Sequence, residues 1–324
     1  MKTKKIGLVG IYFPGAYDAL HENVPEGFEL VDALSPEAYG NLADCEYLIS
    51  RLDIDPDIIN HTPNVKFWQR WGAGFDHVDL KAWGERGIPI ATCPGVNSGI
   101  VAELAIMLML AGYRNLLQIN RQLRAGHWPR TEYFGRSFMI KGKTVGVLGL
   151  GHIGKKVAAL ASAFGANVIY YDIVRQPEQE EQFGYRFVDF DTLLKESDIF
   201  TIHCPLNEET RGMIGAAQFA KMKPTAMLIN TARGPIVDEA ALIDALTTGK
   251  IATAGLDTYE HEPLPKDHPL LTLDNVVASA HAGGNTKDND INMVNYVYHN
   301  IVAFDRGEPL NTPGDIANGE YLKK

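Results

Sequence analysis

Long hydrophobic runs, cysteine and positive charge are what this 324-residue chain has least of. Its most apolar helical stretch, Val101 to Gly112, is too short to span a bilayer and carries Glu103 in its first turn, so no membrane partner is expected. The N-terminal MKTKKIGLVGIYF sets lysines before an apolar stretch, as an export signal does. No small-residue cleavage site follows and Pro14 interrupts the run, so it reads as a first strand. The three cysteines, Cys45, Cys93 and Cys204, leave one unpaired in any intramolecular disulfide scheme and have no metal-ligand spacing. A reducing, cytoplasmic compartment and no metal are expected. With 30 Lys and Arg against 40 Asp and Glu, the formal charge of −10 argues against a general nucleic-acid surface.

What is there centres on Lys143 to Gly154, KTVGVLGLGHIG. Thr144 to Leu148 is short and apolar enough for a buried parallel strand, and the glycines at 149, 151 and 154 follow it. A tight turn needs the first glycine, close approach of a phosphate the second, and packing of the next helix on the sheet the third. Pyrophosphate would then sit on free N–H groups at that helix's start. Glycine-rich turns also recur where nothing binds, and the context supplies the rest. Lys155 to Phe164 reads as a helix stopped at Gly165. Ala166 to Tyr171 reads as a strand ending at Asp172, about twenty residues beyond the fingerprint, where a carboxylate can accept ribose hydroxyls. That carboxylate would repel a 2′-phosphate, favouring NAD over NADP, although Arg175 nearby weakens the preference.

Ahead of this lie apolar strands at Lys5–Tyr12, Phe28–Asp32, Tyr47–Ser50, Val65–Trp71 and Pro89–Thr92, with a helix expected from Gly15 to Asn23. Gly72-Ala73-Gly74 and Pro94-Gly95-Val96-Asn97-Ser98 follow the last two strands, where such folds bind ligands; simple tight turns are the alternative. From Ser98 a long helix, SGIVAELAIMLMLAGYRNL, is apolar on most faces and must be buried nearly all round. The aromatic residues of the connector 117–138, Trp128 and Phe134 among them, suggest a subunit contact. Beyond Asp172, strands are expected at 187–191, 199–203, 222–230, 253–257 and 276–278 and helices at 191–197 and 238–246. The last helix, Asn289 to Phe304, returns to cover the first domain. The expected division is 1–98 plus 289–324 as a smaller α/β domain and 99–288 as a doubly wound Rossmann domain, hinged where the chain crosses twice.

Arg233, Asp257 and His281 stand where strands of the second domain end, with Glu262 in the loop after Asp257. A nicotinamide enzyme acting on a hydroxy acid needs a cation to orient the carboxylate and an acid/base at the hydroxyl. Arginine's planar fork suits the first task, and histidine, titrating near neutrality, the second. Glu262 would favour the imidazolium and fix its ring. A structural ion pair is the alternative for Arg233. The long loop separating Glu262 from His281 leaves open whether they meet.

Taken in order, VGVLGLGHIG, HCPLNEETRGMI, LINTARGPIVDEAAL, AGLDTYEHEP and SAHAGG closely resemble the D-isomer-specific 2-hydroxyacid dehydrogenases over essentially the whole chain. The resemblance implies a flavodoxin-like substrate domain split by an inserted NAD domain, and a homodimer built on the latter. It implies reversible hydride transfer between NADH and a 2-oxo acid to give a D-2-hydroxy acid. In that light Arg233 is the substrate-orienting arginine and Glu262 the partner of the catalytic His281. Asp257 would meet the nicotinamide carboxamide. Ala73 and Gly74 would donate backbone N–H groups to the substrate carboxylate beside Asn97. Expected cofactor contacts are Gly149, Gly151, His152, Ile153, Gly154, Asp172, Cys204, Pro205, Thr210, Thr231, Ala232, Arg233, Asp257, His281 and Gly283. Ala280 stands where the family usually has proline. Formate dehydrogenases resembling the family place glutamine where Glu262 stands, so phosphite or another small acid is the nearer alternative substrate. An NAD(H)-responsive scaffold, like the corepressors that resemble this family, is the non-enzyme alternative.

Overall fold

A computed structural model describes residues 3–51, 54–75, 78–312 and 315–322. The chain divides into two compact units, 1–97 with 285–324, and 98–284. The first unit is built on five strands: β1 (Lys4–Gly10), β2 (Phe28–Ala33), β3 (Tyr47–Arg51), β4 (Phe67–Arg70) and β5 (Ile90–Ala91). They pair in parallel in the order β2-β1-β3-β4-β5, the doubly wound order of flavodoxin-like sheets. The central strands β3 and β4 are buried along their whole length, as strands covered on both faces are, whereas edge strand β2 is mostly half-buried. Helix α1 (Pro14–Glu22) and α2 (Leu80–Glu85) are supplied locally.

The second unit begins with α3 (Ser98–Tyr113) and α4 (Leu116–Arg124). Its sheet contains β6 (Thr144–Leu148), β7 (Asn167–Tyr171), β8 (Arg186–Phe187), β9 (Ile199–Ile202), β10 (Met227–Asn230), β11 (Thr253–Leu256) and β12 (Val276–Ala278). Every pairing is parallel, in the order β12-β11-β10-β9-β6-β7-β8. Consecutive connections therefore run outward in opposite senses from β6 and β9, and the crevice at their carboxyl ends is where such sheets take ligands. Around them lie α5 (His152–Ala163), α6 (Pro177–Phe183), α7 (Phe190–Glu196), α8 (Ala216–Phe219), α9 (Glu239–Thr247) and α10 (Pro269–Thr272). Val145, Val147, Phe200, Ile202, Leu228 and Ile229 are fully or almost fully buried in this sheet. Each such side chain contributes about 1.5–3 kcal/mol of burial free energy. The chain closes with α11 (Lys287–Arg306) in the first unit, where Phe304 stacks on Phe67 of β4 at 4.4 Å. There the Tyr298 hydroxyl also donates to Leu20 O of α1 at 2.7 Å.

Several elements differ from their expected form: the strand expected at 187–191 is Arg186–Phe187, with Phe190 already in a helix, and the one expected at 222–230 begins only at Met227. The helix after the glycine fingerprint starts at His152, inside the fingerprint, rather than at Lys155. The long apolar helix stops at Tyr113. Asn115 adopts the left-handed φ of 50°, its side-chain amide donating to Arg136 O at 3.1 Å, and the chain turns by 62° into α4. Much of the expected connector is thus helical. Along α3 itself, Glu103 and Met107 are the exposed positions and the rest is buried or half-buried. Among the described residues no single helix is long and apolar enough to cross a membrane.

Candidate active site

Strand β6 ends in a turn that only glycine fits. Gly149 has φ 89°, and a Cβ there would lie 2.7 Å from Cys204 N at the end of the neighbouring β9. A Cβ on Gly154 would lie 2.1 Å from Gly149 O, so that glycine lets α5 close against the turn. Around Gly151 nothing lies within 4 Å of where a Cβ would be, leaving the backbone open beside the exposed His152 and half-buried Ile153. This is the three-glycine division of labour that dinucleotide phosphates require. Asp172, just beyond β7, accepts Leu150 N at 2.6 Å and Val174 N at 3.0 Å. The carboxylate ties the glycine turn to the neighbouring strand and keeps lone pairs for ribose hydroxyls.

The other rim of the crevice comes from the loops after β9, β10 and β11. His203 is neutral: burial lowers its pKa to about 3, Nε2 pairs with the Thr201 hydroxyl at 2.8 Å, and Nδ1 has no partner among the described residues. Burial also pushes the Cys204 thiol up to about 11, so it is protonated rather than nucleophilic. The Thr210 hydroxyl donates to Pro205 O at 2.7 Å and receives Asn207 N at 2.8 Å, holding the PLNEET turn shut. After β10, Asn230 clamps the next loop: its Oδ1 accepts Ala232 N at 3.1 Å and its Nδ2 donates to Arg233 O at 2.9 Å. Asn230 was not among the expected residues, and a polar residue closing an apolar strand was its only signal. Two buried hydroxyls, on Thr231 and Thr258, have no hydrogen-bond partner among the described residues. Unpartnered groups of this kind are costly unless a ligand meets them; Thr258 lines a small separate cavity with Val237, Leu242 and Leu270, and it is the open backbone at Gly151 that fits a phosphate-bearing cofactor.

Arg233, Glu262 and His281 are brought together. His281 Nδ1 lies 2.7 Å from Glu262 Oε2, and the other carboxylate oxygen accepts Tyr259 N at 3.0 Å. Burial works against the Glu262 charge. The His281 ring, the Tyr259 N–H and the positive charge of Arg233 outweigh it and hold the carboxyl below its ordinary range. Arg233 Nη1 donates to Ala232 O at 2.8 Å, and the adjacent Gly234 is pressed onto the Tyr259–Glu260 backbone. A Cβ on Gly234 would lie 1.9 Å from Tyr259 C and O. Glycine is therefore what lets the arginine loop meet the glutamate loop.

Asp257 is buried beneath the loop that carries His281. Its side chain is 1% exposed and already accepts the Ser279 hydroxyl at 2.5 Å, Ala282 N at 2.8 Å and Gly283 N at 2.9 Å, while its carbonyl takes His281 N at 2.8 Å. These bonds wrap the 279–283 loop around the carboxylate and hold His281 at φ 50°, a conformation that costs a residue other than glycine about 1–3 kcal/mol. The result is a ring anchored through Nδ1, with Nε2 the remaining nitrogen, on a side chain 48% exposed.

In the first unit, Gly72 has φ 128° and its carbonyl accepts Cys93 N at 2.9 Å, linking the loops after β4 and β5. Ala73 is exposed; Gly74, whose carbonyl faces Arg70 Nη2 at 3.4 Å, and Asn97 are half-buried.

A family model described as "D-isomer specific 2-hydroxyacid dehydrogenase, NAD binding domain" matches residues 106–283. The chain is 43% identical over 271 residues to a D-3-phosphoglycerate dehydrogenase of Archaeoglobus fulgidus, covering 84% of this chain but only 51% of that protein. It is 38% identical over 284 residues to a glyoxylate reductase of Korarchaeum cryptofilum, covering 86% and 85%. The crystal structure of a glyoxylate reductase from Paecilomyes thermophila superposes with a TM-score of 0.83 at 33% identity, covering 96% of this chain and 98% of that one.

Proposed function

The chain belongs to the D-isomer-specific 2-hydroxyacid dehydrogenase family, and on that premise we propose that it reduces a small 2-oxo acid to the D-2-hydroxy acid with NADH, reversibly. The observation that carries this reading is the meeting of Arg233, Glu262 and His281 at the carboxyl edge of a sheet whose glycine turn and Asp172 suit a dinucleotide.

Bound NADH supplies the hydride that arrives at C2 of the acid. The residues that would hold it are Gly149, Gly151, His152, Ile153 and Gly154 at the phosphates, Asp172 at the ribose, and the 204–210, 231–233 and 281–283 loops along the rest. Arg233 pairs with the substrate carboxylate and draws electron density from the neighbouring carbonyl. Protonated His281 gives its Nε2 proton to the oxygen as the alkoxide forms, and in oxidation the neutral ring takes it back. Glu262 steadies the imidazolium that this requires. Asp257, by fastening the His281 loop, sets where that nitrogen stands. We also assign Ala73, Gly74 and Asn97 to the holding of the acid, on their place at the carboxyl ends of β4 and β5.

A homodimer formed through the dinucleotide unit is part of the proposal. Trp128 is 79% and Phe134 75% exposed, and α4 buries none of its residues, leaving Leu116, Leu117 and Leu123 on the surface. A second copy would cover this face. Three free thiols agree with a cytoplasmic setting.

The test is NADH consumption with glyoxylate, hydroxypyruvate, pyruvate and branched 2-oxo acids, beside NAD+ reduction with phosphite and formate. Turnover of at least one 2-oxo acid to a D-configured product is expected. Failure across the 2-oxo acids would overturn the proposal, and turnover of phosphite alone would replace it.

A further inference from the structure

The turn after Asp172 holds an arginine that could welcome a 2′-phosphate, and the structure shows what that arginine is doing. Arg175 Nε donates to Glu180 Oε1 at 2.8 Å and its Nη2 to Glu180 Oε2 at 2.7 Å, a two-pronged ion pair, while the guanidinium lies over the Phe187 ring at 5.6 Å. The Nε–Nη2 edge of the fork is thereby taken and its charge matched, with Nη1 left outward on a side chain 61% exposed. Glu180 is itself held in place: buried Tyr170 of β7 donates its hydroxyl to Oε1 at 2.8 Å, and Gln176 N donates to that hydroxyl at 2.8 Å. The carboxylate thus has a fixed position on the first turns of α6.

We propose that Glu180 is a positioning residue for cofactor choice, drawing Arg175 away from the adenosine ribose so that the enzyme rejects NADP(H). Asp172 alone would only repel a 2′-phosphate; the sequestered arginine removes the compensating cation from the same turn. The two residues between them, Ile173 and Val174, are exposed and carry no side-chain donor. A 2′-phosphate would therefore meet a carboxylate, two aliphatic chains and an arginine already paired. The arrangement is independent of ordinary pH, because the Arg175 partner above all lowers Glu180 from 4.5 to about 2 and keeps it ionised.

The inference rests on the assignment of the dinucleotide crevice. Its test is equilibrium binding, by quenching of protein fluorescence, of NAD+, NADP+ and the fragments 5′-AMP and adenosine 2′,5′-bisphosphate. The proteins are wild type, Glu180→Gln, Glu180→Ala, Arg175→Ala and Glu180→Gln with Arg175→Ala. Wild type should favour NAD+ by about 100-fold or more. Either Glu180 variant should bind NADP+ and the bisphosphate about tenfold more tightly, with steeper salt dependence, while NAD+ and 5′-AMP stay within about twofold. The gain should vanish in the double variant. Unchanged NADP+ affinity in both Glu180 variants, an equal gain in Arg175→Ala, or a wild type without preference would overturn the proposal. Absence of NAD+ binding in wild type would instead overturn the crevice assignment beneath it.

Discussion

His281 sits at a backbone angle that few residues other than glycine tolerate, and the groups that hold it there define what can be tested at single positions. Asp257 spends its carboxylate on Ser279, Ala282 and Gly283. Replacing it with Asn should leave a donor facing a donor, cost about 1–3 kcal/mol of stability, and lower kcat about tenfold or more while the protein stays folded by circular dichroism. Glu262 makes a pH prediction. Folding lowers its pKa below the ordinary 4.5, so the stability it contributes is present above that value and lost as pH falls through the lowered one. The melting-temperature gap between wild type and Glu262→Gln should therefore narrow as the buffer is acidified. In the same variant the ring loses the carboxylate that holds Nδ1, so kcat for reduction should fall while NADH affinity is kept. Arg233, Glu262 and His281 could be picked out as candidates by residue type and by resemblance, although the sequence left open whether the last two meet, as they do at 2.7 Å. Asp257's grip on the loop and Asn230's clamp were not legible, since both depend on how neighbouring backbone closes around a side chain.

At the scale of elements, apolar runs located the strands, and glycines located the turns that matter. The start of α5 and the break at Asn115 escaped, because hydrophobic period carries straight through both. α6, PEQEEQF, has no buried residue and hence no period at all; only Pro177 at its start and left-handed Gly184 at its end marked it. Close approach is equally invisible in a string, though the glycine that permits it is not. Gly234→Ala would drive a methyl into the Tyr259 backbone. It should cost about 1–3 kcal/mol in thermal or urea unfolding and lower kcat/KM for the acid by parting the arginine and glutamate loops. Unaltered stability and kinetics would contradict the packing described.

For the whole molecule, two parallel sheets have strand orders of doubly wound type, as the alternation of strand and helix signals foretold, and the candidate loops follow the carboxyl ends of their strands. Exposed Trp128 and Phe134 give the oligomer prediction: wild type should sediment as a dimer, and replacing both with Glu should yield a folded protein that sediments as a monomer. A monomeric wild type would remove the assignment of that face. The central claim is that one imidazole moves the proton while hydride moves at the adjacent carbon. Its most direct test is single-turnover reduction of the best 2-oxo acid by His281→Ala, with NADH affinity measured on the same sample. A rate reduced about 100-fold or more with affinity preserved is expected; a normal rate would show that the proton comes from elsewhere.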